Sequence, residues 1–351
     1  MKILHTSDIH LDSPLTSKLS YEKSAVRRRE LLLGFSRLCD TAVKLCCRSI
    51  IIAGDLFDSE DISARGLDTA LYGISSHPDI SFFYLPGNHE KEAILSSGAA
   101  LPKNLFVFGE DWTYFKSAEV VIAGRSRIES GMFDTLKLDP KDKNVVVLHG
   151  EPTDRTSSPS GIGLTEAAGR GIDYLALGHY HTKKSFRLDS RGVAVYSGAP
   201  FARGFDECGE RGFVTFDTER MPDFSFIPTP DRRFFVVKCD LTGAEGFGEL
   251  EARIGESLSK MSHSDSVRLE LCGKRSPTLR IDTREYERIY GEGFFHFEIK
   301  DSTKLYFGQE DFSRDRTLKG EFVRTVNSRV DLDEGTKERI IEMGLYALLG
   351  E

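Results

Sequence analysis

The chain has 351 residues, 39% hydrophobic and 29% charged, with 47 Lys and Arg against 55 Asp and Glu and a formal net charge of -8. That length exceeds one typical domain and the composition is that of an ordinary water-compatible protein. The acidic balance excludes a general nucleic-acid coat protein but not a DNA enzyme whose metal centre and local basic strips supply the field.

No apolar run approaches the ~18 residues of a membrane span, so no membrane partner is expected. Met1-Lys2-Ile3-Leu4 leads straight into a strand, so no leader peptide is expected and the expected location is the cytoplasm. Six cysteines (Cys39, Cys46, Cys47, Cys208, Cys239, Cys272) have no CxxC spacing and read as reduced thiols. The basic groups Arg27-Arg28-Arg29, Arg125 with Arg127, Lys183-Lys184, Arg232-Arg233 and Lys274-Arg275 read most simply as solvated faces.

In chain order, Ile3–Ser7 predicts a strand and Arg27–Cys47 a helix, with Leu31, Phe35, Leu38, Ala42 and Cys46 along one face. Ile50–Asp55 follows as a strand that is apolar on both faces, completing a right-handed βαβ unit. Ser63–Ser76 predicts a second crossover helix and Ser81–Leu85 a third strand. Leu105–Phe108 and Val120–Ala123 read as short strands of a second sheet. Asn144–His149 and Ile172–His181 are buried strands separated by a polar loop, Pro152–Ser160. Lys184–Leu188 and Val193–Ser197 flank Asp189-Ser190-Arg191-Gly192 as a hairpin, and Gly212–Asp217 with Phe224–Ile227 form another antiparallel pair.

These elements predict an α/β fold, a four-layer α/β/β/α sandwich over residues 1–230, with a boundary at Pro228-Thr229-Pro230-Asp231. A β-α-β-α-β order over 231–305 predicts a small α/β domain. Residues 306–351 predict a helical tail with Ile340, Ile341, Leu345, Leu348 and Leu349 on one stripe.

Five apolar strands end in polar tips, and ligands of open α/β sheets sit beyond carboxyl strand ends. The tips carry Asp8, His10, Asp55, Asn88, His149, His179 and His181. Two carboxylates, one amide oxygen and four imidazoles are too many for one ion and suit two, with Asp55 the natural bridge. Two divalent ions against two carboxylates leave a cationic pocket suited to an anionic phosphoester. The donors are all N and O, which suits manganese, iron or zinc without ranking them. His5, His77, His263 and His296 read as structural histidines.

Asp8-x-His10, Gly54-Asp55-x-x-Asp58, Gly87-Asn88-His89-Glu90, His149 and Gly178-His179-x-His181 together resemble the calcineurin-like metallophosphoesterases. The stretches His5–Asp12 and Tyr196–Pro200 are similar to SbcD-type nuclease subunits of bacterial SbcCD complexes. Gly204-Phe205-Asp206-Glu207, Gly209–Gly212 and the closing Gly344–Glu351 are similar to the YhaO branch of DNA repair exonucleases.

The resemblance implies that Asp8, His10, Asp55 and His181 hold one ion and Asp55, Asn88, His149 and His179 the other, with manganese preferred. His89 would be the general acid that protonates the leaving oxygen or steadies the phosphate. Archaeal and eukaryotic members carry a histidine where Asp58 stands, while bacterial members resemble this chain there. Asp58 is read as orienting His89 or a metal ligand, or as capping its own loop. Arg203 is a candidate contact to substrate phosphate.

The resemblance further implies that residues 231–305 cap the site and position DNA, with Arg268, Lys274, Arg275 and Arg280 as candidate phosphate contacts. It implies that the tail docks an SbcC-like coiled-coil ATPase, and that the protein forms a homodimer. The expected function is therefore a dinuclear-metal-dependent DNA exonuclease or endonuclease of repair or end processing. A phosphodiesterase acting on a small nucleotide, or a metal-free protein-binding scaffold on the same fold, are the competing readings.

Overall fold

A computed structural model of the chain describes residues 1–349 apart from 16–18, 91–92, 118, 157, 277–278, 307–311 and 313–314. Two compact units follow one another, Met1–Phe235 and Val236–Glu351, and the division falls within the strand Phe234–Asp240.

The first unit is built on two six-stranded sheets. In one, Lys2–Thr6, Ser49–Ala53, Ser81–Leu85 and Leu105–Val107 run parallel, and Gly212–Asp217 and Phe224–Pro228 extend the Lys2 side antiparallel. In the other, Val193–Tyr196, Tyr174–Gly178, Lys143–His149 and Val120–Gly124 run parallel between the antiparallel edges Lys184–Arg187 and Thr113–Ser117. Strand side chains alternate between faces. Ile50 and Ile52 therefore meet Leu31, Phe35 and Leu38 of the helix Tyr21–Lys44, while Ile51 and Ala53 join Val145, Val147 and Ala176 between the sheets. Both faces of Ser49–Ala53 are dry, which is why that stretch is apolar throughout.

The helix Tyr21–Lys44 is capped by Ser20, and Ala64–Ser75 by Ser63, whose hydroxyl accepts from Gly66 N at 3.0 Å. The first helix starts earlier than its apolar pattern predicts, because its opening turns face solvent; Tyr21 is 85% exposed. The outer face of the second sheet is covered by the turn Met132–Asp134, the one-turn helix Leu164–Ala167 and their flanks, so this helical layer is thin.

Two local expectations are corrected. Leu105–Val107 pairs in parallel with Ser81–Leu85 in the first sheet rather than entering the second; three residues are too few for an alternation to name their sheet. The polar loop after His149 contains Glu151–Thr153, paired in parallel with Gly161–Gly163.

Within the basic groups of this unit, two arginines are buried rather than solvated. Arg27 is fully buried and donates to the Ala202 carbonyl, Asp231 and Glu30. Arg125 is also buried, with Glu129 Oε1 2.7 Å away and the Trp112 ring beneath it.

The second unit is organised on a three-stranded sheet, Phe234–Asp240, Ser266–Cys272 and His296–Asp301, with helices Phe247–Leu258 and Thr283–Gly291. Leu250, Ile254, Val267, Leu269, Tyr286 and Phe297 form its core. Arg275 is buried and donates to the Leu279 carbonyl and Thr303 hydroxyl, both at 2.9 Å, which removes it from the phosphate candidates. Arg268 pairs with Glu298, whereas Lys274 and Arg280 are exposed. Helices Leu318–Asn327 and Glu334–Leu349 complete the unit; Leu345 is buried, and Ile340 and Leu348 are partly exposed. No described helix is long and apolar enough to cross a membrane.

Between the sheets sits His5, with Nδ1 3.0 Å from the Tyr174 hydroxyl. Burial lowers its pKa to about 3, against the opposing pull of the Leu177 carbonyl. Folded His5 thus stays neutral while the unfolded chain takes up a proton below pH 6.5, so stability falls as pH falls from there. In His5→Asn, measured in chelator, about 1–2 kcal/mol of the parent's loss of unfolding free energy between pH 7 and pH 5 is expected to disappear. An unchanged loss would show that His5 does not carry this acid sensitivity.

Candidate metal centre

The loops beyond Lys2–Thr6 and Ser49–Ala53 zip together through backbone bonds from Asp8 N to Gly54 O (3.0 Å), Ile9 N to Asp55 O (2.8 Å) and Leu11 N to Leu56 O (2.9 Å). This pairing holds Asp8, His10 and Asp55 in the left-handed region, with φ of 53°, 49° and 52°, and His179 is at 103°. Such backbones cost about 1–3 kcal/mol each outside glycine and persist only where the surroundings enforce them. Gly54 is also left-handed, and a Cβ there would overlap the His149 ring; a Cβ on Gly87 would overlap Asp55 Oδ1.

Glu90 supports the same arrangement from below. Fully buried, it accepts from Leu56 N at 3.0 Å, Gly87 N at 3.2 Å and Phe57 N, tying the Asp55 loop to the Asn88 loop. Burial, and then the Asp55 charge, raise its pKa to about 7, against the backbone donors and Tyr84.

Two groups of side chains gather there, Asp8 with His10 and His181, and Asp8 with Asp55 and His149. The three histidines of these groups share one orientation. His149 Nδ1 donates to the Ala53 carbonyl at 2.9 Å, which leaves Nε2 facing Asp55 Oδ2 at 3.3 Å and Asn88 Oδ1 at 2.9 Å. His10 Nδ1 lies 2.9 Å from Asp58 Oδ1 as an ion-pair contact without hydrogen-bond alignment, and its buried Nε2 meets no hydrogen-bond partner among the described residues. His181 Nδ1 meets Glu207 Oε1 at 2.6 Å, leaving Nε2 3.7 Å from Asp8 Oδ1.

An orphaned imidazole nitrogen and two dry carboxylates, each 1% exposed, fit divalent cations. Without one, protons take the place of the positive charge. Burial opposes a charged His149 ring, but the bond to Asp55 and the carboxylate charges push its pKa up to about 9. Burial likewise opposes ionised Asp55, and His149, His10 and His89 overcome it to hold the carboxyl well below its usual range.

His179 stands beside this cluster, its ring 5.4 Å from His149, with Nε2 3.6 Å from Glu151 Oε1 and its backbone N donating to Asp8 Oδ1 at 3.0 Å. His89 is half-exposed at the rim, with Nδ1 3.1 Å from the Asp58 carbonyl and Nε2 4.0 Å from Asp55 Oδ2. Asp58 thus touches His89 through its backbone and His10 through its carboxylate. Arg203 donates to Asp58 Oδ1 at 2.7 Å and to Glu207 Oε1 at 3.0 Å.

Glu90 and Glu207 buttress the cluster, and the sequence alone does not single them out. Both lie inside phrases that it does, Gly87-Asn88-His89-Glu90 and Gly204-Phe205-Asp206-Glu207, but a single acid without a metal-ligand spacing gives no signal of its own.

Residues 1–183 match the family of calcineurin-like phosphoesterases. The chain belongs to that family. Calcineurin-like phosphoesterases are hydrolases with a dinuclear metal site, and the Asp and His groups above are this member's candidates for it. The chain is 24% identical over 297 residues to the uncharacterized metallophosphoesterase YhaO of Bacillus subtilis, covering 78% of this chain and 72% of that one. It is 27% identical over 216 residues to the DNA double-strand break repair protein Mre11 of Sulfurisphaera tokodaii, covering 57% and 54%. The chain thus spans about half the length of that Mre11 relative. A solved structure, TT1561 of Thermus thermophilus, is 13% identical with a TM-score of 0.43, covering 64% of this chain and 98% of that one.

The close approach at Gly87 yields a prediction. Gly87→Ala displaces Asp55 and lowers bound metal at least several-fold, read by elemental analysis after gel filtration, while far-UV circular dichroism stays parental. Full metal content in that variant would show that the loop has room to spare.

Proposed function

We propose that this phosphoesterase is a cytoplasmic, divalent-metal-dependent DNA exonuclease or endonuclease acting in repair or end processing. The observation that carries this reading is the convergence of Asp8, His10, Asp55, His149 and His181 with inward-facing Nε2 atoms beneath a half-exposed His89. Asp8, His10, Asp55 and His181 would hold one ion and Asp55, Asn88, His149 and His179 the other; this N and O donor set suits manganese, iron or zinc, and the family resemblance favours manganese. When bound, such a pair supplies Lewis acidity at the phosphoryl oxygens and an activated water.

The chain's own residues do the rest. His89 Nδ1–H donates to the Asp58 carbonyl, so Nε2 faces the substrate side and would hold the proton that the leaving oxygen takes. Asp58 keeps the His10 ring turned inward. Arg203 steadies Asp58, and the second N–H of its Nη1 would meet a substrate phosphate.

DNA as substrate is supported by the likeness to Mre11 repair proteins and by the second unit that follows the sandwich. In this reading residues 231–305 position the duplex, exposed Lys274 and Arg280 among their phosphate contacts. The tail 306–351 would dock an SbcC-like coiled-coil ATPase through the partly exposed Ile340 and Leu348, and two copies would pair as a homodimer.

Purified protein with Mn²⁺ is given duplex DNA, single-stranded DNA, a cyclic dinucleotide and p-nitrophenyl phosphate esters in parallel. Cleavage of DNA is expected. Cleavage of the small esters alone would assign a small-nucleotide phosphodiesterase, and silence across metals would assign a scaffold. His89→Ala is expected to keep both ions and lose about 10²–10⁴-fold in rate; cutting at the parental rate would remove its role. Asp55→Ala is expected to lose both ions in the same elemental analysis.

A further inference from the structure

The three inward-facing histidines are oriented by two different kinds of support. His149 is held by the Ala53 carbonyl, a backbone group at the end of a central strand that is hydrogen-bonded on both sides. His181 is hydrogen-bonded to the Glu207 carboxylate, His10 lies against the Asp58 carboxylate at 2.9 Å, and one guanidinium joins those carboxylates. Arg203 donates through Nη1 to Asp58 Oδ1 at 2.7 Å, through Nε and Nη2 to Glu207 Oε1 at 3.1 and 3.0 Å, and through its backbone N to Glu207 Oε2 at 2.7 Å, and its Nη2 also lies 3.3 Å from His181 Nδ1.

Glu207 is buried, with its backbone carbonyl taken by Arg211 Nε at 3.0 Å; Arg211 also donates to the His181 carbonyl. The chain His10, Asp58, Arg203, Glu207, His181 therefore runs continuously around one side of the cluster. It does not include His149 or Asn88.

We infer that Arg203 is a positioning residue that sets the strength of one metal subsite, the one bounded by Asp8, His10 and His181, and leaves the subsite of Asp55, Asn88 and His149 unaffected. The inference rests on the dinuclear reading of the centre. Removing the guanidinium leaves Asp58 and Glu207 as neighbouring acids without their shared cation, free to rotate away from the two imidazoles. Partners of this kind are worth about 10–100-fold in metal affinity. The Ala53 carbonyl cannot rotate away, because the strand pairing fixes it. A phosphoesterase so built binds its two ions unequally when the clamp is lost.

The test is a two-site Mn²⁺ titration of metal-stripped protein by calorimetry, with the electron paramagnetic resonance of the coupled ion pair as an independent signature. The parent is expected to bind two ions and show the coupled signal. Arg203→Gln is expected to keep one ion near parental affinity, bind the second about 10–100-fold more weakly, and lose the coupled signal at limiting metal. Adding His149→Ala removes the remaining strong ion. Arg203→Lys, which reaches one carboxylate at a time, falls between.

Should Arg203→Gln fail to fold, Glu207→Gln serves instead. Its amide oxygen still accepts from His181 but offers Arg203 no charge, and the same selective weakening is expected. Two ions at parental affinity in these variants, or equal weakening of both, would overturn the clamp. A parent that itself binds fewer than two ions would overturn the dinuclear reading on which it rests.

Discussion

Asp8 and Asp55 place two carboxylates in a pocket nearly sealed from water, and the side chains gathered against them are ionisable imidazoles. A buried carboxylate left unpaired costs several kcal/mol, so the pocket requires positive charge. His149 shows how strongly. Its ring is as buried as Asp55, which favours the neutral form, yet the neighbouring charge pushes it up to about 9. The rest of the site serves this requirement. The left-handed backbones of Asp8, His10 and Asp55 aim the ligands, glycines 54 and 87 leave room for the His149 ring and the Asp55 carboxylate, and Glu90 ties the two loops by their amides.

The sandwich contributes stiffness at the same place. Parallel pairing sets Ala53 beside Leu85 at the strand ends of one sheet and His149 beside Gly178 at those of the other, so each following loop begins from a fixed backbone. The inter-sheet core of Ile51, Ala53, Val147 and Ala176 locks the two sheets together beneath the ligands. Ligand positions set by strand ends tolerate little adjustment, and those set by side-chain carboxylates tolerate more. His149 and His181 stand on opposite sides of that distinction.

What is legible in the sequence follows the same division. The strands with two dry faces are readable because no polar residue interrupts them, as in Ile50–Ala53 and Val145–Leu148. Their polar tips are readable because a buried acid or histidine after such a run has few purposes. Leu105–Val107 is misplaced by its pattern because three residues carry no register. Arg27 and Arg275 read as surface charge because burial of an arginine depends on distant partners, Ala202 and Asp231 for one, Leu279 and Thr303 for the other. The joint role of Arg203 and Glu207 is hidden for the same reason. Its meaning lies in contacts to Asp58 and His181, which are 145 and 26 residues away.

The fate of the arginines also bears on how an anionic substrate is drawn in. Arg27, Arg125, Arg203 and Arg211 are all turned into the first unit, each held by carboxylates or carbonyls, so they contribute little outward field. Arg127, though half-exposed, is ringed by Glu110, Asp111 and Glu129. With a net charge of -8 over the whole chain, the field that attracts a phosphodiester cannot be a general property of the surface. In the dinuclear reading the centre adds to the exposed basic residues, since two divalent ions would carry more charge than Asp8 and Asp55 return. Attraction and chemistry would then share a source, because ions that supply Lewis acidity at a phosphoryl oxygen would also supply charge that draws it in.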